Sequence, residues 1–143
     1  MKKRIALLAA LMLLSLAACG KKESAESKTA QGYKDGTYSG EAEVKEVGGT
    51  IKLDITVSDG KIMTVDMQNL DRDGKEKGED YGKSEPLNQG LYSIAQNSIL
   101  GTDKLPALLV ESQDPDRIDA VSGATLSREA FVQAAKAALD GAK

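Results

Sequence analysis

Histidine and tryptophan are absent from the 143 residues, and there is one cysteine, Cys19. Without histidine, neither a Ser-His-Asp triad nor an ordinary zinc site can be built. A lone cysteine excludes an internal disulfide and a cysteine cluster for metal. Aromatic residues make up only 3% of the chain and the net charge is −3. A net acidic chain with few aromatics argues against nucleic acid as a partner. Long apolar runs are missing as well. The run from Ile5 to Leu14 is too short to span a bilayer as a mature helix.

What is present first is an export pattern. Lys2, Lys3 and Arg4 precede that apolar run and the small residues of "LSLAAC" follow it. This is the three-part organisation of a signal peptide, here residues 1–18. Leu16-Ala17-Ala18-Cys19 resembles a bacterial lipobox. The resemblance implies cleavage before Cys19 and acylation of its thiol, which would anchor the mature chain and leave no cysteine for catalysis. Several acyl chains hold a protein stably where one is marginal. A secretory peptide with a coincidental cysteine is the alternative. Residues 1–18 carry +3 of the total −3, so residues 19–143 carry −6. Such a surface has no attraction for anionic lipid heads, and the lipid alone would hold it. Residues 20–32, "GKKESAESKTAQG", are small and charged without periodicity, as expected of a flexible tether. The expected location is the extracytoplasmic face of the cell membrane. Gly20 lacks the aspartate retention signal, which leaves an outer membrane open where the cell has one. One domain remains, residues 33–143, large enough for a single modest core.

Period-two alternation opens that domain. Tyr38, Gly40, Ala42 and Val44 share one face, Ser39, Glu41, Glu43 and Lys45 the other. Gly48-Gly49 makes a turn, and Ile51, Leu53, Ile55 and Val57 form the apolar face of a second strand. Asp59-Gly60 is a hairpin signal leading to a third strand in which Met63, Val65 and Met67 alternate. Ile62 breaks the phase, which suggests a bulge beside the turn. The strands are expected at about 37–46, 50–58 and 61–70. Residues 71–84, "DRDGKEKGEDYGKS", read as a solvated charged loop; covering a bound cofactor or docking a partner is the alternative. Asp71, Asp73 and Gly74 do not meet the spacing of a calcium loop. Helix is expected over about 85–100, with Ser84 as cap, Pro86 in the first turn, Leu87, Leu91, Ile94, Ala95 and Ser98 on one face, and Gly101 as terminator. A short turn near 106–111 starts at Pro106. A last helix, about 127–140, has Ser127 as cap, Glu129 near its positive end, an apolar stripe through Phe131, Ala134, Ala135, Ala138 and Leu139, and Gly141 as stop. Strands followed by helices indicate an α+β fold built on an antiparallel meander.

Between the last two helices lies Asp119 to Ser127, "DAVSGATLS". Gly123 permits a tight turn or the close approach of a bulky ligand, and Ala124 is small for the same reason. Thr125 sits at the amino end of a helix, where unpaired amides and the helix dipole favour phosphate. A glycine turn and a helix cap would account for Gly123, Ala124 and Ser127, but not for Thr125.

Asp119, Ala120, Ser122, Gly123, Ala124, Thr125 and Ser127 fill every fixed place of the covalent FMN attachment motif. Together with "YKDGTYSGEAEV" and "TVSDGKIMTVDM", they make the chain resemble the FMN-binding domain family over most of residues 33–140. One departure is "KSEP", where members often carry a histidine-containing run, so no role for that histidine is carried over. The resemblance implies FMN on Thr125 as a phosphoester, placed there by a separate FAD-dependent flavin transferase that recognises residues 119–127. No metal of the chain's own is implied, and no catalytic residue. The expected function is that of a membrane-anchored extracytoplasmic electron carrier, not a self-contained catalyst. It would pass electrons from a membrane donor to an external or periplasmic acceptor. A binding or assembly lipoprotein with noncovalent flavin, or none, is the alternative.

Overall fold

The structure is a computed structural model that describes residues 32–143. The expected signal peptide, Cys19 and all but the last residue of the tether lie outside the described residues. Three strands, β1 (Gly36–Glu43), β2 (Thr50–Ser58) and β3 (Lys61–Leu70), form an antiparallel sheet in the order β1-β2-β3. Helices α1 (Gln89–Thr102) and α2 (Leu105–Ser112), a 3-10 turn (Pro115–Arg117) and helix α3 (Thr125–Asp140) follow. The fold is α+β.

The alternation read from the sequence decides which face is covered. Ile51, Leu53, Ile55 and Val57 of β2 are buried against Phe131, Ala134, Ala135, Ala138 and Leu139 of α3, with Leu105 and Leu109 of α2 completing the core. The other face is open to solvent, where Ser39 donates to Asp54 and Lys52 pairs with Glu41 at 3.4 Å. Gly40 is the point of closest approach. A Cβ built there would lie 2.1 Å from the Ala134 carbonyl oxygen and 2.7 Å from the Ala138 nitrogen. The alanine stripe of α3 and the missing side chain of Gly40 together let helix backbone lie directly on strand backbone.

Several boundaries differ from the sequence pattern. β1 ends at Glu43 because the chain already reverses at Val44, whose N–H donates to Gly49 O at 3.0 Å while Gly48 N–H returns to Val44 O at 2.9 Å. The expected bulge is present between Thr56 and Val57, and it turns Ile62 inward. Met63 is then 55% exposed and does not share the inner face with Val65 and Met67. Beside it, Gln113 stands in for a missing strand. Its side chain accepts from Ile62 N–H and donates to Ile62 O, both at 2.8 Å.

α1 starts after Asn88, not Ser84. Asn88 Oδ1 accepts from Leu91 N–H at 3.1 Å and supplies the cap. Ser84 instead closes the preceding turn, donating to Pro86 O and accepting from Asn88 N–H. Gly101 lies inside the last turn of α1 and does not terminate it. α3 begins two residues earlier than expected, at Thr125, with Ala124 in the cap position. Ser127 is therefore a buried third helical residue and no cap, and Glu129 lies beyond the first turn. The early start has a local cause. Gly123, at φ +80°, reverses the chain so that Ala124 N–H bonds Val121 O at 3.1 Å, and Arg128 N–H then reaches Ala124 O at 2.7 Å. At the other end the stop is as expected, with Gly141 in the cap position.

Candidate functional site

The β1–β2 turn, the 71–88 segment, α1 and the start of α3 converge on a cleft of about 400 Å³. That volume falls within the range of small-molecule sites, about 300–1,000 Å³. Val47, Tyr81, Leu91, Ile94 and Leu126 provide most of its wall, and Thr125 stands on it with Gly123 and Ser127.

The start of α3 has no side-chain cap and no acidic residue in its first turn. Thr125 is its first residue and is exposed. Its hydroxyl thus lies beside amides that the first turn of any helix leaves without intrahelical acceptors. The segment leading to it is held from both sides. Arg128 Nε and Nη2 both donate to Ile118 O, at 2.9 and 2.5 Å. On the α1 side, a Cβ on Gly101 would meet Ala124 Cβ and Ser122 O at 2.9 Å each. Gly101 and Ala124 are small because the 119–127 run and α1 touch there.

The residues of the 119–127 run separate into groups. Gly123, Thr125 and Ser127 meet at the cleft, and Ala124 is buried behind it. Ser122 is exposed and faces a neighbouring hollow with Leu100, Lys104 and Asn97. Asp119 is exposed and lines neither space.

Two features of the surroundings were not given by the sequence pattern. The α1 stripe does not enter the core: Leu91 is 62% and Ile94 66% exposed, and both line the cleft. The charged 71–84 segment is not a purely solvated loop either. Tyr92 Oη donates to Glu79 O at 2.7 Å, and Gln96 Nε2 donates to Gly78 O and Tyr81 O at 3.2 and 3.0 Å. These bonds pin the segment to α1 and turn Lys77 and Tyr81 into a cleft wall. Burial pushes the Lys77 ammonium below its ordinary pKa, outweighing the opposing effect of the Asp71 carboxylate. Composition concealed this wall, because only Lys77 and Tyr81 of a highly charged stretch turn inward.

The FMN-binding domain profile matches residues 46–140, which includes the cleft and all of the 119–127 run. The chain belongs to this family. It is a flavin-binding domain with FMN as its cofactor. A crystal structure of a Clostridium perfringens protein is similar at 30% identity and a TM-score of 0.60, covering 77% of this chain and 88% of that one. A Clostridium thermocellum protein solved by NMR is also 30% identical, with a TM-score of 0.48, covering 77% of this chain and 92% of that one. No curated protein matches it. The residues present suit FMN: an apolar wall for a flat ring system and, beside it, an uncapped helix start for a phosphate. Among the described residues no helix is long and apolar enough to cross a membrane. No cluster of three or more His, Cys, Asp or Glu side chains there could hold a metal ion.

Proposed function

We propose that Thr125 carries FMN through a phosphoester on its hydroxyl, and that the chain is a lipid-anchored electron carrier on the extracytoplasmic face of the membrane. The observation that carries this reading is the position of Thr125, an exposed hydroxyl on the uncapped first residue of α3 beside an apolar cleft. The amide donors and dipole of the helix start favour a phosphate at that oxygen. Val47, Leu91, Ile94 and Tyr81 offer the ring a wall that keeps water from part of it. FMN supplies the electron-transfer chemistry, and the chain supplies position and electrostatics. A covalent bond retains the cofactor outside the cytoplasm, where a diffusible flavin would be lost.

Asp119 and Ser122, exposed on the approach to Thr125, suit recognition by the FAD-dependent transferase that would make the bond. A membrane component supplies the electrons, and an external or periplasmic acceptor receives them. The deciding experiment expresses the full chain with its transferase and measures intact mass and in-gel flavin fluorescence after denaturation. Wild type should keep one FMN, and Thr125→Ala none. Flavin lost from wild type on denaturation would point instead to a noncovalent binding or assembly lipoprotein.

A further inference from the structure

Among the described residues lining the cleft, Lys77 alone carries a charge. Its neighbours Lys75, Glu76, Glu79 and Asp80 all stay exposed, whereas Lys77 is half-buried. Its position is fixed at both ends. The Lys77 N–H donates to Asn69 O on β3 at 2.9 Å, and its Nζ lies 5.0 Å from the centroid of the Tyr81 ring. No ion pair to Lys77 occurs among the described residues, unlike Lys52, Lys83, Lys136 and Lys143. The remaining wall is apolar or neutral. The cleft therefore presents one unpaired cation in surroundings drier than bulk water, where a charge acts more strongly on its neighbours.

We infer that Lys77 sets the reduction potential of the flavin held in this cleft, by stabilising the negative charge the ring gains on reduction. The inference rests on the reading that FMN occupies the cleft beside Thr125. Two electrons from the membrane donor, which is oxidised, and one proton from solvent leave the ring with one additional negative charge. A fixed ammonium favours that state over the neutral oxidised ring, so the potential rises. Burial disfavours the Lys77 charge in the cleft, and an anionic ring relieves that cost. The same cation costs stability when nothing pairs it, which gives its inward placement a functional reason.

The test uses the flavin-loaded full chain as wild type, Lys77→Gln, Lys77→Met, Lys77→Arg and Lys83→Gln. Lys83 belongs to the same segment but is exposed and paired with Asp80. Two quantities are read: the midpoint potential by spectroelectrochemistry, and the affinity for sulfite. Sulfite forms a sulfur–N5 bond and leaves a negative charge on the ring without electron transfer from a donor. Neutral substitution at Lys77 should make reduction about tenfold less favourable, ~30 mV for a two-electron couple, and weaken sulfite binding to a similar degree. Lys77→Arg should stay near wild type and Lys83→Gln should match it. Unchanged potential and sulfite affinity in Lys77→Gln and Lys77→Met, with flavin content at wild-type level, overturns the role of Lys77. Flavin missing from both neutral variants but present in Lys77→Arg also overturns it, in favour of a role in loading. Flavin missing from wild type overturns the cofactor reading itself.

Discussion

At the residue scale, the proposed role of Thr125 separates function from folding. Its exposed side chain contributes nothing to the core, and surface substitutions away from special features stay within about 0.5 kcal/mol. Thermal unfolding of flavin-free Thr125→Ala should match that of flavin-free wild type, even though the variant takes up no covalent flavin. A drop of several degrees would assign Thr125 a structural part that its exposure does not suggest. Lys77 behaves in the opposite way, because its charge carries a folding cost. Burial lowers its folded-state pKa below the ordinary 10.5, so between that lowered value and 10.5 the unfolded chain binds more protons. Stability from this group therefore rises with pH through that alkaline window and is lost again as pH falls through the folded value. Lys77→Gln should remove the rise. The measurement is urea unfolding of the flavin-free proteins at several alkaline pH values, read as the difference between wild type and variant. A difference independent of pH would mean that the Lys77 charge is well solvated.

At the scale of elements, two glycines set distances that their neighbours cannot adjust. Gly40 lets α3 rest on β1, and the atoms a Cβ would meet are helix backbone, which cannot rotate away. Gly40→Ala should therefore cost more than a typical overpacking change of about 1–3 kcal/mol. It should also loosen the start of α3, which denaturant melts and flavin incorporation would both report. Near-wild-type stability would show that the sheet can slide from under the helix. Gly101 plays the corresponding part between α1 and the 119–127 run, against Ala124 and Ser122. One element whose start the pattern misplaced was α1. Its stripe of Leu91, Ile94 and Ala95 has helical spacing, but spacing does not say whether the partner is core or ligand. The exposure of Leu91 and Ile94 places the stripe outside the core.

At the scale of the whole molecule, the proposed carrier combines a lipidated Cys19, the tether at 20–32 and the flavin domain. Proposed as a flexible tether, these residues would have a root-mean-square span of about 20 Å, enough to keep the domain near a membrane donor without fixing its orientation. Reach then matters, and side-chain identity in the tether does not. A Gly-Ser replacement of equal length should preserve donor-linked flavin reduction in membranes, whereas deletion should slow it at constant flavin content. Cys19→Ala should leave an uncleaved precursor without lipid label and remove the domain from the membrane fraction. Undiminished lipid labelling in that variant would rule out Cys19 as the anchor, and equal reduction rates across the tether series would rule out the swinging carrier.

Sequence alone was sufficient for the meander, the identity of β2 as its central apolar strand, the bulge beside the second turn and the α+β order. Each follows from local periodicity and turn chemistry, which act over a few residues. It was also sufficient for the 119–127 run, because a motif is a spacing and needs no fold to be seen. The wall of the cleft was decided only by tertiary structure. Tyr92 and Gln96 draw the charged 71–84 segment onto α1, and Lys77 and Tyr81 turn inward as a result. Those bonds join residues 13 to 18 positions apart through backbone carbonyls, which any residue can supply. No side-chain pattern marks such an acceptor in advance. The true start of α3 was hidden for a related reason: Gly123 replaced a side-chain cap with a backbone turn, and left the amides beside Thr125 free of one.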